Sequence, residues 1–344
     1  MRPPYFGRIG GECHSLCCIL KYQNVIIIYL QWISNEIQKE MRKSIILVPL
    51  LLFLSNCSIN IRKETDILKG TFDYSDKIQI NYEIHGTGNS TIVFLHGFGA
   101  SVETWRDIQS QLSKGNTLIF LDLKGFGLST KPDDGKYSLE DQAEIVLAFL
   151  KAHKLRDITL VGHSYGGAVS IFTYLRDRSG HAPGIIRRLI LIDASAYVQE
   201  FPYFIDILRK PFINWIVMNL IPTQITASLI LHYLFYNDSN LSEERITRYA
   251  EYFDQPGSYN SFVECAKQIV PAHPDSISAL IKTIAVPTLI IWGANDPAIP
   301  LEYGQKLHQD IRNSKLVIIP NCGHIPHEES PEESVHAILN FLEQ

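Results

Sequence analysis

The sequence predicts an α/β protein in which helices flank a mostly parallel central sheet and a helical segment is inserted between two strands. Two observations predict the sheet: short apolar runs bounded by turn residues recur after residue 70, and helical patterns separate them. A third predicts the insertion, because residues 197–282 are rich in apolar and aromatic residues but contain no clear strand pattern. We therefore expect a core made of residues 70–196 and 283–344.

The strands appear first as a hairpin and then as isolated runs. Apolar and polar residues alternate on both sides of Ser75, Asp76 and Lys77, which predicts an antiparallel hairpin. Six later runs are apolar and should be buried on both faces, as strands of a parallel sheet are. These runs are residues 91–97, 117–123, 158–162, 189–193, 288–293 and 316–320.

Helix signals lie between the predicted strands. Residues 138–151 begin with Ser138 as a candidate N-cap and carry Asp141 three residues later, close to a capping box. Residues 331–342 begin with proline and have acidic residues in the first turn, where the helix dipole favours them. The segment 197–282 is predicted to be a helical lid, because loops at the carboxyl ends of the strands border the ligand site in such sheets. The alternative is that it packs wholly as core.

Length and composition exclude several classes of protein. A chain of 344 residues fits one large domain, or one domain with an inserted lid. A net charge of −5 without a long basic run argues against a nucleic-acid partner. The six cysteines are too few for a disulfide scaffold and lack the spacing of a zinc site, so no metal site is expected.

Residues 41–57 have the layout of an export signal. Two basic residues precede an apolar run at 44–53 that is too short to span a bilayer comfortably. Leu54, Ser55, Asn56 and Cys57 then resemble the lipobox of bacterial lipoproteins, with Asn56 where Gly, Ala or Ser is usual. The resemblance implies that Cys57 is lipidated and anchors the protein to a membrane of the bacterial cell envelope, outside the cytoplasm. The alternatives are a plain hydrophobic anchor and a secretory signal cut elsewhere.

Two segments flank this signal. An export signal should open a protein, so residues 1–40 are predicted to come from an over-extended reading frame that precedes Met41. The alternative is a cytosolic extension that turns the apolar run into an anchor. Residues 58–69 are predicted to be a polar tether between the signal and the core.

The stretch L-V-G-H-S-Y-G-G, residues 160–167, places Ser164 between a predicted strand and a predicted helix. Gly162 and Gly166 leave room for a tight turn that holds the serine in unfavourable backbone geometry and exposes its hydroxyl. The amino end of the following helix favours developing negative charge. Ser164 is therefore the candidate nucleophile.

A serine hydroxyl needs a base, and the base needs an orienting acid. His324 follows the last predicted strand and is the expected base, with His327 as its main rival. Asp296 follows the preceding strand and is the expected acid, although Asp122 and Asp193 also end strands. The order nucleophile, acid, base along the chain is the order of one known type of serine hydrolase.

The oxyanion that forms in acyl transfer needs two N–H donors. One expected donor is the backbone of Tyr165, directly after the nucleophile. The other should come from the loop after residues 91–97, where Phe98 is our choice and His96 is expected to shape the loop.

The chain resembles the α/β-hydrolase superfamily over about residues 70–344, in five motifs that occur in the expected order: H-G-F-G-A-S, D-L-K-G-F-G-L-S, V-G-H-S-Y-G-G, W-G-A-N-D-P-A-I-P and P-N-C-G-H-I-P-H-E-E. The similarity is greatest to a lidded group that includes carboxylesterases, monoacylglycerol lipases, cofactor-free haloperoxidases and carbon–carbon bond hydrolases. The resemblance implies Ser164 as nucleophile, Asp296 as acid, His324 as base, Phe98 and Tyr165 as oxyanion donors, and no cofactor.

The expected reaction is therefore transfer of an acyl group to water, on a small apolar or aromatic acyl substrate such as a carboxylic ester. Dehalogenases and epoxide hydrolases of this fold carry Asp at the nucleophile position, and Ser164 argues against both. One alternative is hydrolysis of a carbon–carbon bond next to a ketone by the same triad. Another is a lipoprotein that binds a ligand without turnover.

Overall fold

Eight strands form the central sheet of the protein, for which a computed structural model describes residues 67–179, 184–271 and 276–344. The strands are β1 (Leu68–Ser75), β2 (Ile78–His85), β3 (Ser90–Leu95), β4 (Asn116–Leu121), β5 (Ile158–His163), β6 (Ile186–Ile192), β7 (Thr288–Gly293) and β8 (Ser314–Ile319). Their order across the sheet is β1-β2-β4-β3-β5-β6-β7-β8. β2 pairs antiparallel with β1 and β4, and the other neighbouring strands pair parallel. The predicted α/β class is confirmed.

From β3 onward, helices connect each strand to the next. They are α1 (Arg106–Leu112), α2 (Leu139–Ala152), α3 (Tyr165–Arg178), α4 (Tyr203–Leu208), α5 (Pro211–Leu220), α6 (Thr223–Leu234), α7 (Glu243–Phe253), α8 (Ser258–Gln268), α9 (Ile277–Ile281), α10 (Leu301–Asp310), α11 (Pro326–Glu329) and α12 (Pro331–Leu342). The helices α4 to α9 lie in the insertion between β6 and β7.

Both faces of the sheet are covered by helices. On one face α2 and α3 pack together and bury Val146 and Val169. On the other face α1 and α12 pack together and bury Ile108 and Ile338. Burying one such side chain contributes about 1.5–3 kcal/mol, so the parallel strands are held by apolar contacts on both sides.

Two local sequence signals produce the expected structure. β1 and β2 form the predicted hairpin, with Ser75 opposite Ile78. Ser138 caps α2: its Oγ accepts the N–H of Asp141 at 3.1 Å, and the Asp141 carboxylate accepts the N–H of Ser138 at 3.1 Å. Such a cap contributes about 1 kcal/mol.

The structure differs from the sequence prediction at β8 and at one helix. We expected residues 316–320 to be buried on both faces, but β8 is an edge strand and Ile318 is 42% exposed. Helix α10 was not predicted, because Gly304 interrupts its pattern. A Cβ at residue 304 would lie 2.6 Å from the Trp292 ring, so the packing requires glycine at this position. Glycine is a poor helix former, and its presence weakens the helix pattern in the sequence.

Several predictions concern residues that lie outside the described part of the chain. These are the extension 1–40, the signal 41–57 with Cys57, and most of the tether 58–69. Within the described part, no individual helix has both the length and the apolar character needed to cross a membrane. Helices α5 and α6 meet that test only when joined, and the chain bends by 114° between them.

Candidate active site

Ser164 lies at a strained turn between β5 and α3. Its φ is 50° and its ψ is −115°, a combination that is rare for a residue with a side chain. Close backbone approach holds the turn: a Cβ at Gly166 would lie 2.3 Å from the carbonyl oxygen of Leu95, and one at Gly162 would lie 2.3 Å from that of Gly166. The neighbouring residues are buried while Ser164 is partly exposed, so the turn presents its hydroxyl to the exterior.

His324 and Asp296 extend a line of hydrogen bonds from Ser164. His324 Nε2 lies 2.9 Å from Ser164 Oγ, and His324 Nδ1 lies 2.7 Å from Asp296 Oδ2. The other oxygen of Asp296 accepts the backbone N–H groups of Ala298 at 2.7 Å and Ile299 at 2.9 Å. An imidazole that donates to a fixed carboxylate through Nδ1 can accept a proton from the hydroxyl at Nε2.

Asp193, directly after β6, lies beside the carboxylate of Asp296. One ligand atom each of Asp193, Asp296 and His324 lie within 4.8 Å of one another. Asp193 is fully buried, and its Oδ1 accepts the N–H of Gly293 at 2.9 Å. Burial and the negative charge of Asp296 raise the pKa of Asp193 well above its ordinary value. The raised pKa favours the protonated form of Asp193, and Asp296 is the carboxyl that faces His324.

Asp122, the other acid that ends a strand, orders loops. Its carboxylate accepts the N–H groups of Val102 and Leu128 and the side-chain amide of Asn81, each at 2.8 Å. Burial raises its pKa to about 6. These bonds join the chain after β3 to the chain after β4, and the structure does not place Asp122 in the hydrogen-bonded line from Ser164.

The histidines near His324 have packing and bonding partners of their own. His327 Nε2 lies 2.9 Å from Thr104 Oγ1, and its ring stacks on Trp105 at 4.3 Å between centroids. Burial lowers the pKa of His327 well below its ordinary value. His163 donates from Nε2 to the backbone oxygen of His324 at 2.8 Å, so it supports the main chain of the candidate base.

The loop after β3 runs alongside the strained turn. A Cβ at Gly97 would lie 3.3 Å from Ser164 Cβ. The ring of Phe98 lies 6.1 Å from that of Tyr165, measured between centroids. Tyr165 is the first residue of α3, and a backbone N–H at that position has no acceptor within its helix. The structure thus brings together the two segments from which oxyanion donors were expected.

The His324 loop is also held by contacts that the sequence analysis did not find. The Glu329 carboxylate accepts the N–H groups of Gly323 at 2.7 Å and Asn237 at 2.6 Å, and burial raises its pKa. The N–H of His324 donates to the backbone oxygen of Leu234 at 2.8 Å. These contacts join the loop to the end of α6. Glu328 and Glu329 are visible in the sequence as an acidic pair. Because such pairs are common on protein surfaces, the pair did not indicate a buried role.

An aromatic cluster lies beside the candidate oxyanion loops. The Phe98 ring lies 5.4 Å from Phe126 and 5.8 Å from Phe262, and Phe253 lies 5.6 Å from Phe262. Phe126 and Tyr165 are 5.9 Å apart. Because Phe253 and Phe262 come from α7 and α8, the insertion contributes apolar surface close to Ser164.

The fold and this geometry agree with a comparison to protein families. Residues 90–331 match the family described as alpha/beta hydrolase fold. The match covers more than half of the chain. The chain therefore belongs to the alpha/beta hydrolase fold family, and it is a hydrolase of this fold.

Its relatives carry out more than one reaction. The chain is 28% identical over 271 residues to 2-hydroxy-6-oxo-2,4-heptadienoate hydrolase of Pseudomonas putida, covering 77% of this chain and 93% of that protein. It is 27% identical over 269 residues to an uncharacterized hydrolase, YugF, of Bacillus subtilis, covering 78% and 95%. A thermophilic esterase from Thermogutta terrifontis is similar in structure, with a TM-score of 0.66, 25% identity and coverage of 81% and 98%. The reaction must therefore be argued from the site.

Proposed function

We propose that the protein is a serine hydrolase that cleaves a carboxylic ester or related acyl substrate through an acyl-enzyme. The observation that carries this proposal is the position of His324, 2.9 Å from Ser164 Oγ and 2.7 Å from Asp296. Ser164 attacks the carbonyl carbon while His324 takes its proton. The N–H groups of Phe98 and Tyr165 stabilise the oxyanion. His324 then protonates the leaving group, and water cleaves the acyl-enzyme by the same route.

The surroundings of Ser164 support an apolar acyl group. The aromatic cluster offers hydrophobic surface next to the oxyanion loops. Arg245, which reaches the His324 loop from α7, is bonded to Glu328 and Asp107, so its charge is already neutralised. We therefore infer that the insertion acts as a lid over an uncharged, hydrophobic substrate.

A fluorophosphonate probe tests the nucleophile. We expect labelling at Ser164, located by mass spectrometry, in the purified protein and in the His327→Gln variant. Labelling should be lost in Ser164→Ala and should fall at least about a hundredfold in His324→Gln, because general-base catalysis contributes about 10²–10⁴-fold. Circular dichroism confirms that each variant is folded. A folded protein that is not labelled would contradict the proposal and favour a ligand-binding protein without turnover.

Carbon–carbon bond hydrolysis is the second candidate function. It is favoured by the similarity to 2-hydroxy-6-oxo-2,4-heptadienoate hydrolase, whose chain is matched over 93% of its length. The dienoate substrate named for that relative carries a carboxylate, and binding this carboxylate would need a cation at the site. A panel of uncharged esters and one dienoate, assayed under the same conditions, separates the two candidates. Turnover of the dienoate with none of the esters would favour the second.

We also propose that Cys57 is lipidated and that the protein is anchored in the bacterial cell envelope. Support comes from the sequence alone, in the basic residues 42 and 43, the apolar run 44–53 and the lipobox-like residues 54–57. Mass spectrometry of the protein from membranes should find Cys57 as the acylated first residue. The Cys57→Ser variant should lose the acyl mass. A mature chain that begins elsewhere, without acyl chains, would contradict the proposal.

A further inference from the structure

Helix α5 exposes large apolar side chains and buries a polar one, although its residues Ile216, Val217 and Met218 are partly buried. Its one buried residue is Asn214, which donates to the backbone oxygen of Leu208 at 2.7 Å and accepts from the Tyr259 hydroxyl at 2.6 Å. Large apolar side chains of the same helix face outward: Phe212 is 76% exposed and Trp215 is 53% exposed. A surface helix normally buries its apolar side.

The outward apolar residues share one side of the helix, which also carries the exposed Asn219. Phe212 and Leu220, which is 66% exposed, are eight residues apart and lie on one side of the helix. Trp215 lies three residues from Phe212 on that same side, and Ile213, 42% exposed, adjoins it. We call Phe212, Ile213, Trp215 and Leu220 the α5 surface. Exposed apolar surface of this kind indicates a binding partner.

Cations outnumber acids at the start of the α5 surface, where Arg209 pairs with Asp206 at 4.0 Å. Arg209 and Lys210 directly precede the helix and are exposed. Residues 207–237 contain no Asp or Glu, although the whole chain has 36 acidic residues and a net charge of −5. A helix that combines a tryptophan, exposed aliphatic residues and adjacent cations has the character of a helix that lies in an anionic membrane interface.

The dimensions of α5 fit lying on a membrane rather than crossing it. Its ten residues span about 15 Å, half of the roughly 30 Å of a hydrocarbon core. The 114° bend before α6 prevents the two helices from forming one straight span. Helix α6 then leads to the active site: the Tyr233 hydroxyl donates to the backbone oxygen of Pro297 at 2.6 Å, and Leu234 accepts from His324.

We propose that the α5 surface inserts into the interface of an anionic phospholipid membrane, with Arg209 and Lys210 at the level of the lipid phosphates. Membrane contact would then be made by the insertion itself, one helix away from the loops that carry Asp296 and His324. This inference does not depend on the reaction that the site performs.

The fluorescence of Trp215 tests the insertion directly. The purified full chain carries Trp32→Phe, and Trp105 and Trp292 are fully buried, so quenching by brominated acyl chains reports on Trp215. Vesicles contain phosphatidylglycerol and phosphatidylcholine in equal parts, or phosphatidylcholine alone. We expect quenching with the anionic vesicles. Phe212→Ser should weaken binding about tenfold, and Arg209→Gln or Lys210→Gln about fivefold each.

A matched pair of isoleucines supplies the control. Ile213 and Ile318 are each 42% exposed, but Ile318 lies on β8. Ile213→Ser should reduce quenching, and Ile318→Ser should not. Repeating the measurement with Ser164→Ala separates docking from catalysis, since loss of the hydroxyl leaves the α5 surface intact.

Three results would overturn the proposal. The first is binding to vesicles without quenching of Trp215, which would assign membrane contact to another part of the chain. The second is equal quenching in the Ile213 and Ile318 variants. The third is shielding of Trp215 that depends on protein concentration in the absence of lipid and is removed by Phe212→Ser, which would make a second copy of the chain the partner.

Discussion

Asp193 and Asp296 place two carboxyl groups side by side at the ends of adjacent parallel strands, and the two have different bonds. Asp296 faces His324 Nδ1 at 2.7 Å, whereas Asp193 accepts the N–H of Gly293 at 2.9 Å. Two neighbouring carboxylates in a buried site cannot both ionise without a large cost. Burial raises the pKa of Asp193, and the carboxyl that lies against His324 Nδ1 is that of Asp296.

Asparagine substitutions distinguish the two acids. Asp296→Asn should lower kcat by about 10³–10⁴-fold, because an amide cannot stabilise the imidazolium or fix its tautomer. Asp193→Asn should keep kcat within about threefold, since asparagine keeps the oxygen that accepts the N–H of Gly293 and burial already disfavours a charge at that position. Asparagine also tolerates the positive φ of 42° at that position. Steady-state kinetics on the best ester measures both, and an equal loss in the two variants would make Asp193 part of the charged machinery.

The close approach at Gly166 predicts a large effect for one added methyl group. Gly166→Ala would place Cβ 2.3 Å from the carbonyl oxygen of Leu95 and 2.4 Å from that of His96, so β3 or α3 must shift. We expect a loss of about 2–4 kcal/mol in the free energy of unfolding and weaker probe labelling at Ser164. Gly115→Ala is the control, because its Cβ would meet nothing within 4 Å. Urea denaturation measures the stability of both variants. Similar midpoints would show that the close approach at Gly166 does not hold the turn.

The fold could be predicted largely from the sequence because its central strands, such as β5 and β7, are buried on both faces. Runs such as residues 288–293 are apolar throughout, and the structure places β7 over those residues. The prediction was wrong about the burial of β8, since a run of the same composition at the edge of the sheet has one neighbour only. The composition of a run shows that it is apolar. It does not show whether the strand lies at the edge of the sheet, because the order of strands depends on pairing between distant parts of the chain.

The candidate site was predictable where chemistry requires particular residues at the ends of strands. The sequence nominated Ser164, His324 and Asp296 on that basis, and the structure brings them within hydrogen-bonding distance. The sequence could not reveal the raised pKa of Asp193, which depends on burial and on a neighbour about a hundred residues away in the chain. Nor could it reveal that Glu329 holds the His324 loop, because a carboxylate bonded to backbone N–H groups leaves no sequence pattern.

Buried neutral histidines predict that stability falls in weak acid. His96 donates from Nδ1 to the oxygen of Gly97 at 2.8 Å and accepts the N–H of Leu123 at 3.0 Å, and burial lowers its pKa to about 4. Between pH 6.5 and 4 the unfolded chain binds a proton at this residue and the folded chain does not, so the stability that depends on His96 decreases as pH falls. The loss in the free energy of unfolding that is due to His96 reaches about 3 kcal/mol below pH 4.

The His96→Gln variant tests this assignment. Its free energy of unfolding should depend less steeply on pH between 4 and 6.5 than that of the wild type, by up to about 1.4 kcal/mol per pH unit. His336→Gln removes an exposed imidazole and should keep the wild-type slope. Urea denaturation at several pH values gives each slope. Parallel profiles for the wild type and His96→Gln would show that His96 does not carry the effect.

Glu328 ties the insertion to the core, and its removal should be costly. Its carboxylate accepts from Arg245 of α7 and from Thr104 of the core, and it is almost fully buried. Glu328→Gln leaves the guanidinium with an incomplete set of acceptors, so we expect a loss of about 3–5 kcal/mol in the free energy of unfolding. The exposed pair of Arg187 and Asp157 is the control, and Asp157→Asn should cost less than about 1 kcal/mol. If thermal denaturation finds equal losses, the buried contact does not hold the insertion in place.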